Sequence, residues 1–98
     1  MFETSDVSYN KYYVYLLFSY KDKGLYIGYT TNLKARLSQH ANGRVLSTSH
    51  RRPLKLIYYE FFINEQDAKS REIFLKSGFG RDNLKKALKR TLLTPNIK

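Results

Sequence analysis

Arg36, His40, Glu72 and the chain's tyrosines are the side chains whose types and spacing could carry chemistry. Arg36 and His40 stand four apart, so a helix there would present both on one side. A guanidinium offers a fixed fork of donors that matches phosphate oxygens and stays charged at any pH. An imidazole, whose ordinary pKa is about 6.5, can exchange a proton or donate to an oxygen near neutrality. A phenol titrates at about 10 and serves as a base only where cations favour its phenolate. In a chain of nine tyrosines the ordinary role of any one is a packed ring with a wet hydroxyl. Ala68, Glu72, Leu75 and Phe79 recur at helical spacing, which sets a carboxylate among apolar neighbours. Such a carboxylate either pairs with a nearby base such as Arg71 or holds a cation.

The elements that must position these groups follow from pattern. Residues 12–20 and 25–30 are rich in Tyr, Val, Leu, Ile and Phe, and Lys21-Asp22-Lys23-Gly24 separates them, which predicts a hairpin. With 21–24 as the loop, Tyr20 pairs with Leu25 and Tyr15 with Thr30. Alternation then puts Tyr13, Tyr15 and Leu17 on one face with Tyr26, Gly28 and Thr30. Thr31 or Asn32 caps a helix to about Asn42, with Gly43 as its stop and Leu33, Leu37 and Ala41 as its buried stripe. A loop from Arg44 to Pro53 leads to a third strand, Leu54 to Phe62. Asn64 caps a second helix with Glu65 and Asp67 in its first turn, where the helix dipole favours negative charge. Gly78 and Gly80 end that helix, and Asp82 caps a last one buried by Leu84, Ala87, Leu88 and Leu92, with Lys85, Lys86, Lys89 and Arg90 outside. The architecture is a small α+β domain with a central antiparallel sheet of about three strands, in the order β-β-α-β-α-α.

Charge is the second signal. The 98 residues carry 18 Lys+Arg against 8 Asp+Glu, a net +10, with no Cys and no Trp. A chain this long is expected to form one domain, with its core over about residues 11–90 and frayed ends. The lack of cysteine excludes a disulfide framework, a thiol nucleophile and a Cys-ligated metal. With 42% hydrophobic and 15% aromatic residues, this is no disordered basic tail. From Lys23 to Tyr59 no acid occurs, while Lys23, Lys34, Arg36, Arg44, Arg51, Arg52 and Lys55 do. Such a field attracts a polyanion, nucleic acid first. Glu3 and Asp6 stand where a secretory signal would be basic, and the longest apolar stretch is too short to span a membrane. The expectation is a soluble, cytoplasmic protein with no membrane partner.

Taken in order, Tyr13-Val14-Tyr15, Tyr26-Ile27-Gly28, Arg36 and Glu72 resemble the GIY-YIG endonuclease domain over about residues 11–90. Supporting elements are Asn32 to Leu37 followed by His40, Arg51-Arg52-Pro53 before the third strand, and Arg71-Glu72 with Lys76. The likeness is greatest to small stand-alone members and to the N-terminal nuclease domain of the bacterial excision-repair nuclease. The first motif lacks its leading Gly, and Tyr29 follows the second where some relatives carry Lys.

The resemblance implies metal-assisted hydrolysis of a DNA phosphodiester. Glu72 would ligate one Mg²⁺ or Mn²⁺, and Arg36 would hold the scissile phosphate. Tyr26 would act as base or position the water, with Tyr15 as its hydrogen-bonding partner. His40 would share the proton transfer or donate to phosphate. Gly28 and Asn83 would support the site. Lys34, Arg44, Arg51, Arg52, Lys76, Lys85, Lys86 and Lys89 would contact nucleic acid, DNA rather than RNA. A monomer or weak homodimer acting on branched, nicked or flapped DNA in repair or recombination is expected. The alternatives are a non-catalytic DNA- or RNA-binding module on the same scaffold and a protein-interaction domain.

Overall fold

A computed structural model describes residues 10–94. The strands β1 (Tyr12–Ser19), β2 (Leu25–Thr30) and β3 (Leu54–Phe62) form one antiparallel sheet in the order β2-β1-β3. The helices are α1 (Leu33–Ala41), α2 (Glu65–Lys76), α3 (Gly78–Ala87) and a short α4 (Lys89–Leu93), with a single 3-10 turn at Ser49–Arg51. The α+β class and the antiparallel sheet agree with the sequence pattern.

The hairpin closes differently. Phe18 pairs with Leu25 and Tyr15 with Gly28, so the four-residue loop is 20–23 rather than 21–24. Ser19 N–H donates to Gly24 O (2.9 Å), the Asp22 carboxylate accepts from Gly24 N (2.8 Å), and Lys23 takes the left-handed φ of 62°. Sliding the loop by one residue moves the register by two, so every side chain keeps its face. Tyr13, Tyr15 and Leu17 thus do share a face with Tyr26, Gly28 and Thr30.

The opposite face carries the core: Val14, Leu16 and Ile27 pack against Ala68, Leu75 and Leu84 of α2 and α3, with Tyr12, Tyr29, Tyr58 and Phe62 at the margin. A bulge between Leu16 and Leu17 gives β3 one residue more than β1 needs, since Leu16 faces Tyr58 and Leu17 faces Leu56. On both sides of it the α1 face is kept, by Leu54 and Leu56 before and by Tyr59 and Phe61 after.

Both predicted asparagine caps form: Asn32 Oδ1 accepts from Ala35 N (3.0 Å) and Asn64 Oδ1 from Asp67 N (3.1 Å). The last helices depart from the pattern. Ser77, not Asp82, caps α3, its Oγ accepting from Gly80 N (3.1 Å). The chain turns at Ser77, so Phe79 leaves the α2 stripe and stands 84% exposed, while Ala68 and Leu75 stay buried. Gly80 is buried because α3 crosses α2 there; a Cβ would overlap the Phe74 carbonyl and the Leu75 backbone. Ala41 and Ala87, expected inside, are exposed, whereas His40 is the buried residue of α1.

Candidate active site

On the α1 face the Tyr15 ring lies across Gly28, where any Cβ would overlap it. Its hydroxyl meets His40 Nε2 at 2.7 Å, and His40 Nδ1 meets Thr48 Oγ1 at 2.7 Å. Thr48 Oγ1 in turn lies 3.4 Å from the Val45 carbonyl, to which only its hydroxyl proton can be given. Thr48 therefore accepts from Nδ1–H, Nε2 is left with a free lone pair, and Tyr15 O–H donates to it. The three side chains are almost wholly buried, Tyr15 at 1%, His40 at 2% and Thr48 at 0% exposure.

Burial pushes the His40 imidazole down to about 4, and the charge of Arg36 pushes the same way. At neutral pH it is an uncharged acceptor. Burial pushes the Tyr15 phenol up to about 12, although the Arg36 guanidinium beside its hydroxyl pulls it back. Tyr26 and Glu72 raise it further, so both sit within electrostatic reach. Tyr26 is half-buried, its ring 5.2 Å from His40 and 6.3 Å from Tyr15. The hydroxyl of Tyr15 thus bonds His40, where the sequence suggested Tyr26.

Arg36 reaches this group from α1, and its Nη1 donates to Gln39 Oε1 (2.9 Å). Glu72 comes from α2, which packs against the other face, and its Oε2 pairs with Lys76 Nζ at 2.9 Å. Arg71, the alternative partner, instead pairs with Glu60 at 2.9 Å. Tyr29, in place of the lysine some relatives carry, donates to Glu65 (3.0 Å) under Lys69.

The nucleic-acid contacts expected from sequence divide. Lys34, Arg44, Lys85, Lys86 and Lys89 are exposed. Arg51 is half-buried in an ion pair with Asp22 (2.6 Å), which holds that carboxyl well below its ordinary range. Arg52 donates to the Ser49 and Ala41 carbonyls (3.1 and 3.4 Å), and Lys76 is paired with Glu72. The Arg51-Arg52 element therefore staples the 44–53 loop to the hairpin and to the end of α1. Asn83 is exposed in the middle of α3, not at a helix start. Sequence reasoning missed Thr48, whose link to His40 is purely tertiary.

The profile of the GIY-YIG catalytic domain matches residues 11–86. The chain belongs to the GIY-YIG family. Relatives include a UPF0213 protein of Clostridium perfringens, 48% identical over 65 residues (65% of this chain, 69% of the relative). Another, from Pediococcus acidilactici, is 42% identical over 79 residues (78% and 80%). The solution structure of a UPF0213 protein from Bacillus halodurans superposes with a TM-score of 0.52 at 31% identity, covering 79% of this chain and 84% of that one. GIY-YIG is a nuclease family whose members generally bind DNA and use a divalent metal.

Among the described residues no three His, Cys, Asp or Glu side chains converge on a point. Glu72 is a single hard oxygen donor, which fits Mg²⁺ or Mn²⁺, ions that keep several waters and complete their shell with substrate phosphate. No helix among the described residues is long and apolar enough to cross a membrane.

Proposed function

We propose that this GIY-YIG protein is a divalent-metal-dependent endonuclease of structured DNA. The observation that carries the reading is the buried Tyr15–His40 bond of 2.7 Å with the Arg36 guanidinium beside it. In this mechanism Arg36 holds the nonbridging oxygens of the scissile phosphate and offsets the charge that builds there. Tyr26, half-buried beside Tyr15 and His40, orients the attacking water. The water's proton goes to Tyr15 Oη as Tyr15's own proton passes to His40 Nε2, all without a free phenolate. The water oxygen bonds to phosphorus as the P–O bond to the leaving sugar oxygen breaks, and that leaving oxygen takes a proton from solvent. That route suits a phenol pushed up to about 12, which is far too weak an acid to stand ionised. Glu72 would hold the Mg²⁺ or Mn²⁺, which supplies Lewis-acid stabilisation of the phosphoryl oxygens; Lys76 must then release it.

Lys34 and the Lys85, Lys86 and Lys89 group hold flanking backbone, while Arg44 extends the contact beyond α1. One domain with its core over about residues 11–90 has little surface for reading a long base sequence, which favours branched, nicked or flapped DNA and a place in cytoplasmic repair or recombination. Purified protein, Glu72→Ala and Arg36→Ala are incubated with labelled branched and linear DNA and Mn²⁺ or Mg²⁺. Cleavage by wild type that falls at least about 100-fold in both variants is expected. Equal activity of all three would refute the mechanism, and salt-sensitive binding without cleavage under either ion would leave a binding module.

A further inference from the structure

The sheet face that carries Tyr15 is only partly covered by α1. Its Leu17, Leu54 and Leu56 end lies opposite Leu37, His40 and Ala41 of the helix across a cavity of about 240 Å³. Beyond the bulge stand two large aromatic rings, Tyr59 at 50% and Phe61 at 43% exposure. They form one cluster with Tyr13, whose ring lies 6.0 Å from Tyr59, edge-on, and 5.5 Å from Phe61. A groove of about 530 Å³ runs beside the cluster, lined by Tyr13, Tyr59, Lys11, Lys34 and the first turns of α1.

This groove lies next to the candidate site on the same sheet face. Tyr59 is the cross-strand partner of Tyr15, and Phe61 that of Tyr13. On the helix side Leu33 and Leu37 line the groove, and Arg36 lies between them. Exposed aromatic faces with lysines at the rim are what unpaired nucleotides bind, because every base has a face to stack and every phosphate a charge to pair. A duplex keeps its bases stacked on one another and offers no such face.

We propose that Tyr13, Tyr59 and Phe61 form a stacking shelf for an unpaired base flanking the phosphate to be cut, with Lys11 and Lys34 on the adjoining backbone. The shelf rests on the nuclease reading and sharpens its substrate class to DNA in which the strand is single at the cut. A duplex bearing a single-stranded arm places its arm bases here, whereas a fully paired duplex leaves the shelf empty.

The test uses the full chain as Glu72→Gln for binding and wild type for cleavage. The probe is a hairpin DNA with a single-stranded arm carrying 2-aminopurine, beside the same arm with an abasic site at that position and a fully paired duplex. Binding is expected to change the 2-aminopurine fluorescence. Adding Tyr59→Ala or Phe61→Ala should abolish that change and weaken binding of the base-bearing arm about 5- to 100-fold. Tyr59→Phe, which keeps the ring, should restore both. The abasic arm should bind wild-type side chains as weakly as the base-bearing arm binds Tyr59→Ala. Melting curves of each variant separate lost contact from lost fold.

Cleavage of armed DNA that is indifferent to the missing base and to Tyr59→Ala would overturn the shelf and leave the nuclease reading standing. No binding or cleavage of any DNA by wild type would overturn both. Concentration-dependent self-association abolished by Tyr59→Ala would assign the face to a second copy of the chain and overturn the shelf as a nucleotide site.

Discussion

Lowering the pH from 7 to 5 should destabilise this protein through one side chain. His40 is buried against Tyr15 and Tyr26, with Arg36 on its own helix adding positive charge, and its imidazole is pushed down to about 4. In the unfolded chain the same group titrates at about 6.5. Between these values the unfolded state binds a proton that the native state refuses, so stability is full above 6.5 and falls as pH drops toward 4. Integrating from pH 7 to 5 gives a loss of about 2 kcal/mol, rising to about 3 kcal/mol once both states are protonated. At pH 5 the Asp22 carboxyl, which Arg51 holds well below the ordinary range, stays ionised. For a domain of this size about 2 kcal/mol lowers Tm by about 8–16 °C. Circular-dichroism melts of wild type and His40→Gln at pH 7, 6 and 5 are the assay. The variant starts less stable but should lose only a small part of that fall. A wild-type Tm that is flat across this range, or an equal fall in the variant, would refute the account of His40 as a neutral buried acceptor.

Three further outcomes follow from packing. Thr48→Val leaves His40 Nδ1–H buried without its acceptor and should cost about 1–3 kcal/mol; ¹⁵N spectra should show a changed His40 tautomer balance, and Thr48→Ser should return it. Gly28→Ala forces the Tyr15 ring off its strand, costing about 1–3 kcal/mol by denaturant titration and breaking the Tyr15–His40 bond, visible as a shifted His40 titration. Gly80→Ala drives a methyl into the backbone of α2 and should cost about 3 kcal/mol by the same titration, with the α1 face left intact by NMR.

Much of the fold is local and legible in the sequence. Asn32 and Asn64 are read as caps because a cap needs only its own next turn. The facing of Tyr15, Tyr26 and Gly28 survives a loop displaced by one residue because strand alternation depends on parity, not on exact register. The C-terminal helices escape the pattern where tertiary packing decides: Phe79 fits the α2 period, yet the crossing at Gly80 turns the chain at Ser77 first. The same limit governs the site. Arg36 and His40 can be paired from a spacing of four, but that His40 is buried depends on Thr48, which joins it from the following loop. Arg51 and Arg52 read as cations for nucleic acid because sequence shows charge without partners; Asp22, 29 residues away, takes one.

The bulge in β3 has a consequence for chain length. β3 spends nine residues opposite the eight of β1, with Ile57 as the surplus. Deleting Ile57 would straighten the strand and leave Leu54 and Leu56 at one end and Tyr59 and Phe61 at the other still facing α1. A deletion among Tyr59 to Phe62 would instead turn every later aromatic to the opposite face. The segment thus contains one residue of slack, placed between the Leu54–Leu56 end of the strand and the Tyr59–Phe61 end. Relatives a residue shorter at this point should retain the same aromatic face.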